Sequence, residues 1–209
     1  MRYVGTWGIR LFTLLALSTF FYRGAKEWMH APTLTLALVL VGELITFAIY
    51  LTARQVWDKK SFKPVAVVST IVATFFFFFV VLGSGYVLVP VWISASLQVA
   101  GIIWQIYAKI SLGRSFGLLP ANRGIVTRGA YRVVRHPIYL GYAVAHLGFL
   151  LGSFEWRNLG LFSALWFFQA LRILEEEKFL CDDESYLLYM EKTRYRIIPG
   201  IIWVLTRWS

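Results

Sequence analysis

Six apolar blocks, near residues 8–22, 33–51, 65–83, 87–108, 137–152 and 156–174, take up most of this 209-residue chain. A helix needs about 20 predominantly apolar residues to cross the hydrocarbon layer of a bilayer. The pattern therefore predicts an all-α fold, a polytopic membrane helix bundle of about six spans. It reads as a single integral membrane domain over 1–209, with N-terminal spans in 1–108 and a loop, a helical hairpin and a C-terminal helix in 109–200. Composition agrees: 58% of residues are hydrophobic and 15% charged, against about 45–50% and 25% in soluble chains. Disordered, collagen-like and disulfide-scaffold classes are excluded. Cys181 is the one cysteine, so no intramolecular disulfide or Cys-based metal site can form.

The first block is short and follows Arg2 and Arg10, as in a signal peptide. No small-residue cleavage site follows; the chain runs into Phe20-Phe21-Tyr22-Arg23, so the block reads as a span or an interfacial helix. Only Ser153, Phe154 and Glu155 separate the last two blocks, which predicts a tight helical hairpin.

The chain carries 21 Lys plus Arg against 11 Asp plus Glu, a net charge of +10. With six spans both termini share a side. That side holds two basic residues at the N-terminus, four in the 52–63 loop (Arg54, Lys59, Lys60, Lys63), six in 109–136 and six from Arg172 onward. The other side holds Arg23, Lys26 and Arg157. Eighteen against three is a strong positive-inside asymmetry. It predicts cytoplasmic termini in an inner or plasma membrane, and it explains the charge through membrane lipids, without nucleic acid.

Within the blocks, the run Phe75–Phe79 reads as lipid- and helix-facing. Trp7, Tyr22, Trp28, Tyr50, Trp57, Tyr86 and Trp92, near span ends, read as interface anchors. Glu43 differs, because a carboxylate inside an apolar block is costly. It is either functional or paired within the bundle.

Polar chemistry gathers in two places on the basic side. The first is 111–142, where Gly113, Gly117, Gly124 and Gly129 with Pro120 and Asn122 predict a long ordered loop. Interleaved Phe116, Leu118, Leu119, Ile125, Val126 and Tyr131 argue against disorder. The loop enters the next helix through Arg135-His136-Pro137, with Pro137 suited to the first turn and the helix N-terminus suited to an anion. The second is 172–200, where Arg172 and Glu176 share a helix face. Leu180, Leu187 and Met190 with Tyr186 and Tyr189 predict an amphipathic continuation lying on the protein or lipid surface. No metal site is expected: His30, His136 and His146 have no ligand spacing. Gly83-Ser84-Gly85 is a turn rather than a dinucleotide fingerprint.

The run Gly124-Ile-Val-Thr-Arg-Gly-Ala-Tyr-Arg-Val-Val-Arg-His-Pro-Ile-Tyr-Leu-Gly141 resembles the Leu-Val-Thr-x-Gly-x-Tyr-x-x-x-Arg-His-Pro-x-Tyr-x-Gly motif of the isoprenylcysteine carboxyl methyltransferase family, itself related to phospholipid methyltransferases. Arg172, Glu176-Glu177-x-x-Leu180, Tyr186-x-x-Tyr189 and Ile198-Pro199-Gly200 match its second motif. The resemblance covers about 100–200. It implies S-adenosylmethionine as cofactor, with Ile125, Val126, Tyr131, His136, Pro137, Tyr139 and Glu176 lining its pocket. Arg172 would face the methyl acceptor, a lipophilic small molecule or lipid. Arg123 stands where the enzymes of prenylated proteins have His; it is a cofactor-side contact whose change weighs against a prenylated-protein substrate.

Two other classes compete. A membrane reductase of the sterol or steroid type would use NADPH, with Arg123, Arg128 and Arg132 toward its 2′-phosphate. A non-enzymatic scaffold would dock the loop on anionic lipid. The Arg-His-Pro-x-Tyr run and the Glu-Glu pair favour the methyltransferase.

Overall fold

The computed structural model describes residues 2–30, 34–53, 76–81, 85–117 and 122–200, with positions 32, 64, 68, 69, 71 and 72 besides. Most of the block at 65–83 lies outside these residues, as do Arg54, Trp57, Lys59, Lys60, Lys63, Phe75, Gly83, Ser84, Leu118, Leu119, Pro120 and Arg207. Six α-helices are described: α1 (Arg2–His30), α2 (Leu34–Thr52), α3 (Val91–Leu112), α4 (Pro137–Gly152), α5 (Trp156–Leu180) and α6 (Glu184–Lys192). Among the described residues there is no strand. An isolated bridge joins Tyr86 to Phe154, with 2.9 and 2.8 Å backbone bonds.

Several boundaries differ from those of the apolar blocks. The block at 8–22 is part of a longer helix, α1, that runs to His30; nothing in 23–30 breaks it, and Pro32 stops helical continuation. The block at 87–108 becomes α3, which starts after Pro90 and ends at Gly113 with φ +52°, a left-handed stop that glycine takes without penalty. Lys109, counted from sequence among the loop charges, therefore sits inside the helix and is 1% exposed. The block at 156–174 continues through the acidic run to Leu180, because Glu, Lys and Leu are good helix formers whatever their hydropathy. Among the described residues, one helix, Val91–Ser115, is long and apolar enough to cross a membrane, and Ala37–Thr52 and Pro137–Gly152 are shorter apolar helices. Tyr50, expected at the interface, is buried, whereas Tyr22, Tyr86 and Trp92 are exposed.

The centre of the fold is α3 against α4. A Cβ on Gly141 would lie 2.8 Å from the Gly101 carbonyl oxygen, and one on Gly148 2.8 Å from that of Ser94. Small residues thus let the two backbones touch, as in membrane helix pairs. Trp104 Nε1 donates to the Pro137 carbonyl at 3.0 Å, which fixes where α4 begins. The short link 153–155 joins α4 to α5 as the hairpin pattern predicts. Leu150, Phe162 and Leu165 form a core there, with Phe76 edge-on to Phe162. Fully buried Asn158 holds the segment beyond Phe79 through paired 2.9 Å bonds to the backbone of Val81.

The C-terminal part is not one amphipathic stripe. A turn at Cys181–Asp183 separates α5 from α6, and Asp183 caps α6 by accepting from the Ser185 N–H at 2.9 Å. Tyr186 and Tyr189 are buried while Leu187 and Leu188 are exposed. The inward face of α6 packs on the 111–142 loop, because its buried tyrosines meet Tyr131 there.

Candidate functional site

Local polar bonds shape the loop between α3 and α4. Ser115 Oγ donates to the Arg123 carbonyl at 3.2 Å. Asn122 accepts from the Gly124 N–H at 3.0 Å and donates to Asp183 Oδ2 at 2.5 Å, tying the loop to the cap of α6. Gly129, at φ +61°, lies so close to Ser111 that a Cβ would collide with its hydroxyl. That approach delivers Tyr131 into a cluster with Tyr186 and Tyr189, against which Ile125, Val126, Leu180 and Met190 pack. Tyr189 Oη donates to the Tyr131 carbonyl at 2.7 Å. Burial raises the phenols of Tyr131, Tyr186 and Tyr189 well above their ordinary value, so all three remain neutral donors.

Beside this cluster lies a buried ionic knot. Glu177, 2% exposed, accepts from Arg135 Nε at 2.8 Å, His136 Nε2 at 3.0 Å and Arg196 Nη2 at 2.5 Å. Burial alone would raise its carboxyl. The bonds and charge of His136, with those of Arg196 and Arg135, outweigh burial and hold it well below the ordinary carboxylate range. Arg135 Nη1 also donates to the carbonyls of Thr193 and Arg194, and the N–H groups of Arg135 and His136 donate to Tyr195 and Arg196 at 2.9 Å. The segment 193–196 is thereby strapped across the entrance to α4.

The remaining expected residues lie next to this knot. The Arg123 guanidinium packs against Gly117, where a Cβ would strike it. Burial lowers its pKa, offset by the carboxylate of Glu176, and Tyr50 and Arg172 are in electrostatic reach. Tyr139 is in reach of Arg172 and Glu176, and its ring lies 5.9 Å from that of His136. Arg172 is buried on α5, one turn before Glu176. Arg123, Ile125, Val126, Tyr131, His136, Pro137, Tyr139, Arg172 and Glu176 thus share one end of the α4–α5 pair. The acidic pair divides: Glu176 stays partly exposed beside Arg123 and Arg172, while Glu177 is buried in the knot.

Sequence reasoning missed Glu177 as the organising carboxylate, and Arg135 and Arg196 as its partners. One signal was present: Glu177 continues the four-residue row Leu165, Gln169, Ile173, every member of which is buried. Glu43 lies in electrostatic reach of Lys109, the bundle pairing that was one of its two readings.

The polar end of α3–α5, with its loop, coincides with a recognised segment. The model of the isoprenylcysteine carboxyl methyltransferase (ICMT) family matches residues 92–182. All nine expected site residues fall in that match, whereas Tyr186, Tyr189 and Arg196, which close the site from behind, lie beyond it. Protein-S-isoprenylcysteine O-methyltransferase of Schizosaccharomyces pombe is 38% identical to this chain over 95 residues. That alignment covers 41% of this chain and 39% of the yeast protein, so the chain spans well under half the length of this curated relative. No solved structure matches the chain. The family resemblance is borne out over residues 92–182, which hold the first motif and the Arg172-to-Leu180 part of the second; Tyr186, Tyr189 and Ile198-Pro199-Gly200 lie beyond the match.

Proposed function

We propose that this protein is an integral membrane methyltransferase that moves a methyl group from S-adenosylmethionine to a lipophilic acceptor, the carboxylate of an isoprenylcysteine-like molecule or a lipid. The observation that carries this reading is the convergence of Arg123, Tyr131 and Tyr139 within electrostatic reach of Glu176, with Arg172 in reach of Arg123 and Tyr139, all inside the residues that the ICMT-family model matches. The donor set suits the cofactor. A carboxylate and a guanidinium side by side match an amino-acid end that is both cationic and anionic. Aromatic faces suit a sulfonium or an adenine.

When bound, S-adenosylmethionine supplies an electrophilic methyl on a sulfonium. Methyl transfer then requires little proton chemistry from the protein and much alignment, which can contribute about 7–11 kcal/mol. Arg172 orients an acceptor carboxylate through its planar fork of N–H donors. Glu176 holds the cationic amino end, Arg123 the anionic one. Ile125, Val126 and Tyr131 exclude water, which strengthens each of these contacts. The strap over His136 and Pro137 keeps the wall of the pocket in place. About six spans, cytoplasmic termini and a cytoplasmic site in an inner or plasma membrane complete the reading, supported by the positive-inside asymmetry. The polar cofactor then enters from the aqueous side and the acceptor from the lipid.

Detergent-purified protein tests this. S-adenosylhomocysteine raises the melting temperature and NADPH does not; the reverse result identifies a reductase and overturns the proposal. Glu176→Ala abolishes the shift.

A further inference from the structure

At the opposite end of α4 and α5 from the candidate site the surface is aromatic, and the mechanism above gives it no task. Tyr86, Trp92 and Trp156 are 78%, 70% and 77% exposed, and Val87, Leu88 and Val91 beside them are exposed too. No residue between Lys63 and Lys109 carries a charge, so the segment before α3 lacks the groups that solvate a loop. Its backbone is tied to the hairpin instead. Tyr86 and Phe154 exchange bonds of 2.9 and 2.8 Å, and the Leu88 N–H donates to the Leu151 carbonyl at 2.9 Å. A Cβ on Gly85 would strike the Ser153 backbone, so glycine is what allows this approach. Non-helical backbone is tolerated beside hydrocarbon where the protein itself satisfies its polar groups.

The outward face of α5 supplies a length. Between Arg157 and Lys178, both exposed, its exposed positions are Gly160, Ser163, Ala164, Phe167, Ala170 and Leu174, none of them charged. Arg157 and Lys178 are twenty-one residues apart, about 32 Å at 1.5 Å per residue, and the hydrocarbon layer is about 30 Å thick. Long basic side chains reach out of that layer to its polar boundaries. Within the interval, Arg172 and Ile173 are buried, so the charge of Arg172 faces the protein, not the surroundings. The 22 residues of α3, about 33 Å, give the same length. Both helices begin in the aromatic end, where the Phe154 and Trp156 rings meet edge-to-face at 5.1 Å. Tyr and Trp, apolar in body and polar at the tip, favour the boundary between headgroups and hydrocarbon.

We infer that Tyr86, Trp92 and Trp156 form a seat for the headgroup boundary of one bilayer leaflet, and that this seat, with α5 as spacer, sets the depth of the candidate site at the other. Glu176, twenty residues beyond Trp156, then lies about 30 Å away, at the opposite boundary, and Arg172 one turn inside the hydrocarbon. Phe167, exposed and eleven residues from Trp156, lies near the mid-plane. The inference rests on the membrane-spanning part of the proposed function and not on methyl transfer. It gives the hairpin link and the segment before α3 a task that the polar end does not need for its own folding: they hold the bundle against sliding along the membrane normal.

The test uses the full chain, with Cys181→Ser, in phosphatidylcholine vesicles. A thiol-reactive fluorophore is placed singly at Trp156→Cys, Phe167→Cys or Glu184→Cys, all exposed positions where a label displaces no core contact. Three quenchers are compared: iodide on both sides of the membrane, and phosphatidylcholine with a nitroxide on the headgroup or at the middle of an acyl chain. The Trp156→Cys label is quenched most by the headgroup nitroxide, the Phe167→Cys label most by the mid-chain nitroxide and the Glu184→Cys label most by iodide. Adding Tyr86→Ala and Trp92→Ala, both at exposed positions, shifts the Phe167→Cys label from mid-chain toward headgroup quenching. A Trp156→Cys label quenched most by iodide or by the mid-chain nitroxide overturns the inference. So does a Phe167→Cys profile that the two alanines leave unchanged, since helix length alone then sets the depth. Iodide dominating at all three positions removes the membrane-spanning reading, and the inference with it.

Discussion

Glu177, near the end of α5, accepts a 2.9 Å hydrogen bond from the Nε of Arg196, nineteen residues further along the chain. The same carboxylate holds Arg135 and His136 at the entrance to α4. One buried anion thus unites a helix end, a loop and the C-terminal strap. Breaking a buried ion pair from one side costs about 3–5 kcal/mol, since the abandoned charge stays buried. Glu177→Ala should therefore lower the thermal midpoint sharply, whereas Glu176→Ala, partly exposed, should leave it nearly unchanged and lose cofactor binding instead. Paired melting curves with and without S-adenosylhomocysteine separate the two.

The knot also sets an acid limit. The native Glu177 carboxyl is held below its ordinary value of 4.5, so the folded state binds a proton less readily than the unfolded one. Its stabilisation is fully present above that ordinary value and is lost as pH falls through the lowered native value. Melting temperatures between neutral pH and 5 should show no loss from this group, and a decline should begin below about 4.5. Glu177→Gln should flatten that decline.

Tyr189→Phe removes the hydroxyl that donates to the Tyr131 carbonyl at 2.7 Å. Loss of one such bond costs about 1 kcal/mol. Because Tyr131 lines the proposed pocket, affinity for S-adenosylhomocysteine should weaken as well, by calorimetric titration in detergent. An unchanged affinity would place Tyr131 outside the pocket.

Gly141 admits no side chain. Its Cβ would lie 2.8 Å from the Gly101 carbonyl and 2.9 Å from the Gln105 backbone nitrogen. Gly141→Ala should destabilise by about 1–3 kcal/mol through overpacking. Gly160, on α5, has open space around it, and Gly160→Ala should stabilise by up to about 1 kcal/mol through helix propensity. Denaturation of the two variants side by side tests whether the α3–α4 contact is as close as described.

Arg172→Ala should keep the S-adenosylhomocysteine shift and lose methyl transfer, scored by incorporation of labelled methyl into a lipid extract. Loss of the shift would assign Arg172 to the cofactor rather than the acceptor.

By itself the sequence determined the helical class, the hairpin at 153–155, the glycine-bounded break between the helices before and after it, and the two motifs. All of these are local: apolar blocks, glycine and proline placement and short motifs act over a few residues, so they can be read along a line. Tertiary structure decided which member of an adjacent pair is buried. Glu176 and Glu177 are chemically identical, and only the angular position on α5 and the arrival of Arg135, His136 and Arg196 from distant segments give them different roles. It likewise decided that Lys109 is an interior cation, because Thr46, Gln105, Glu43 and Tyr142 reach it from three other turns and helices. A charge's energy depends on what surrounds it in space, and that surrounding is assembled from residues up to sixty-three positions apart.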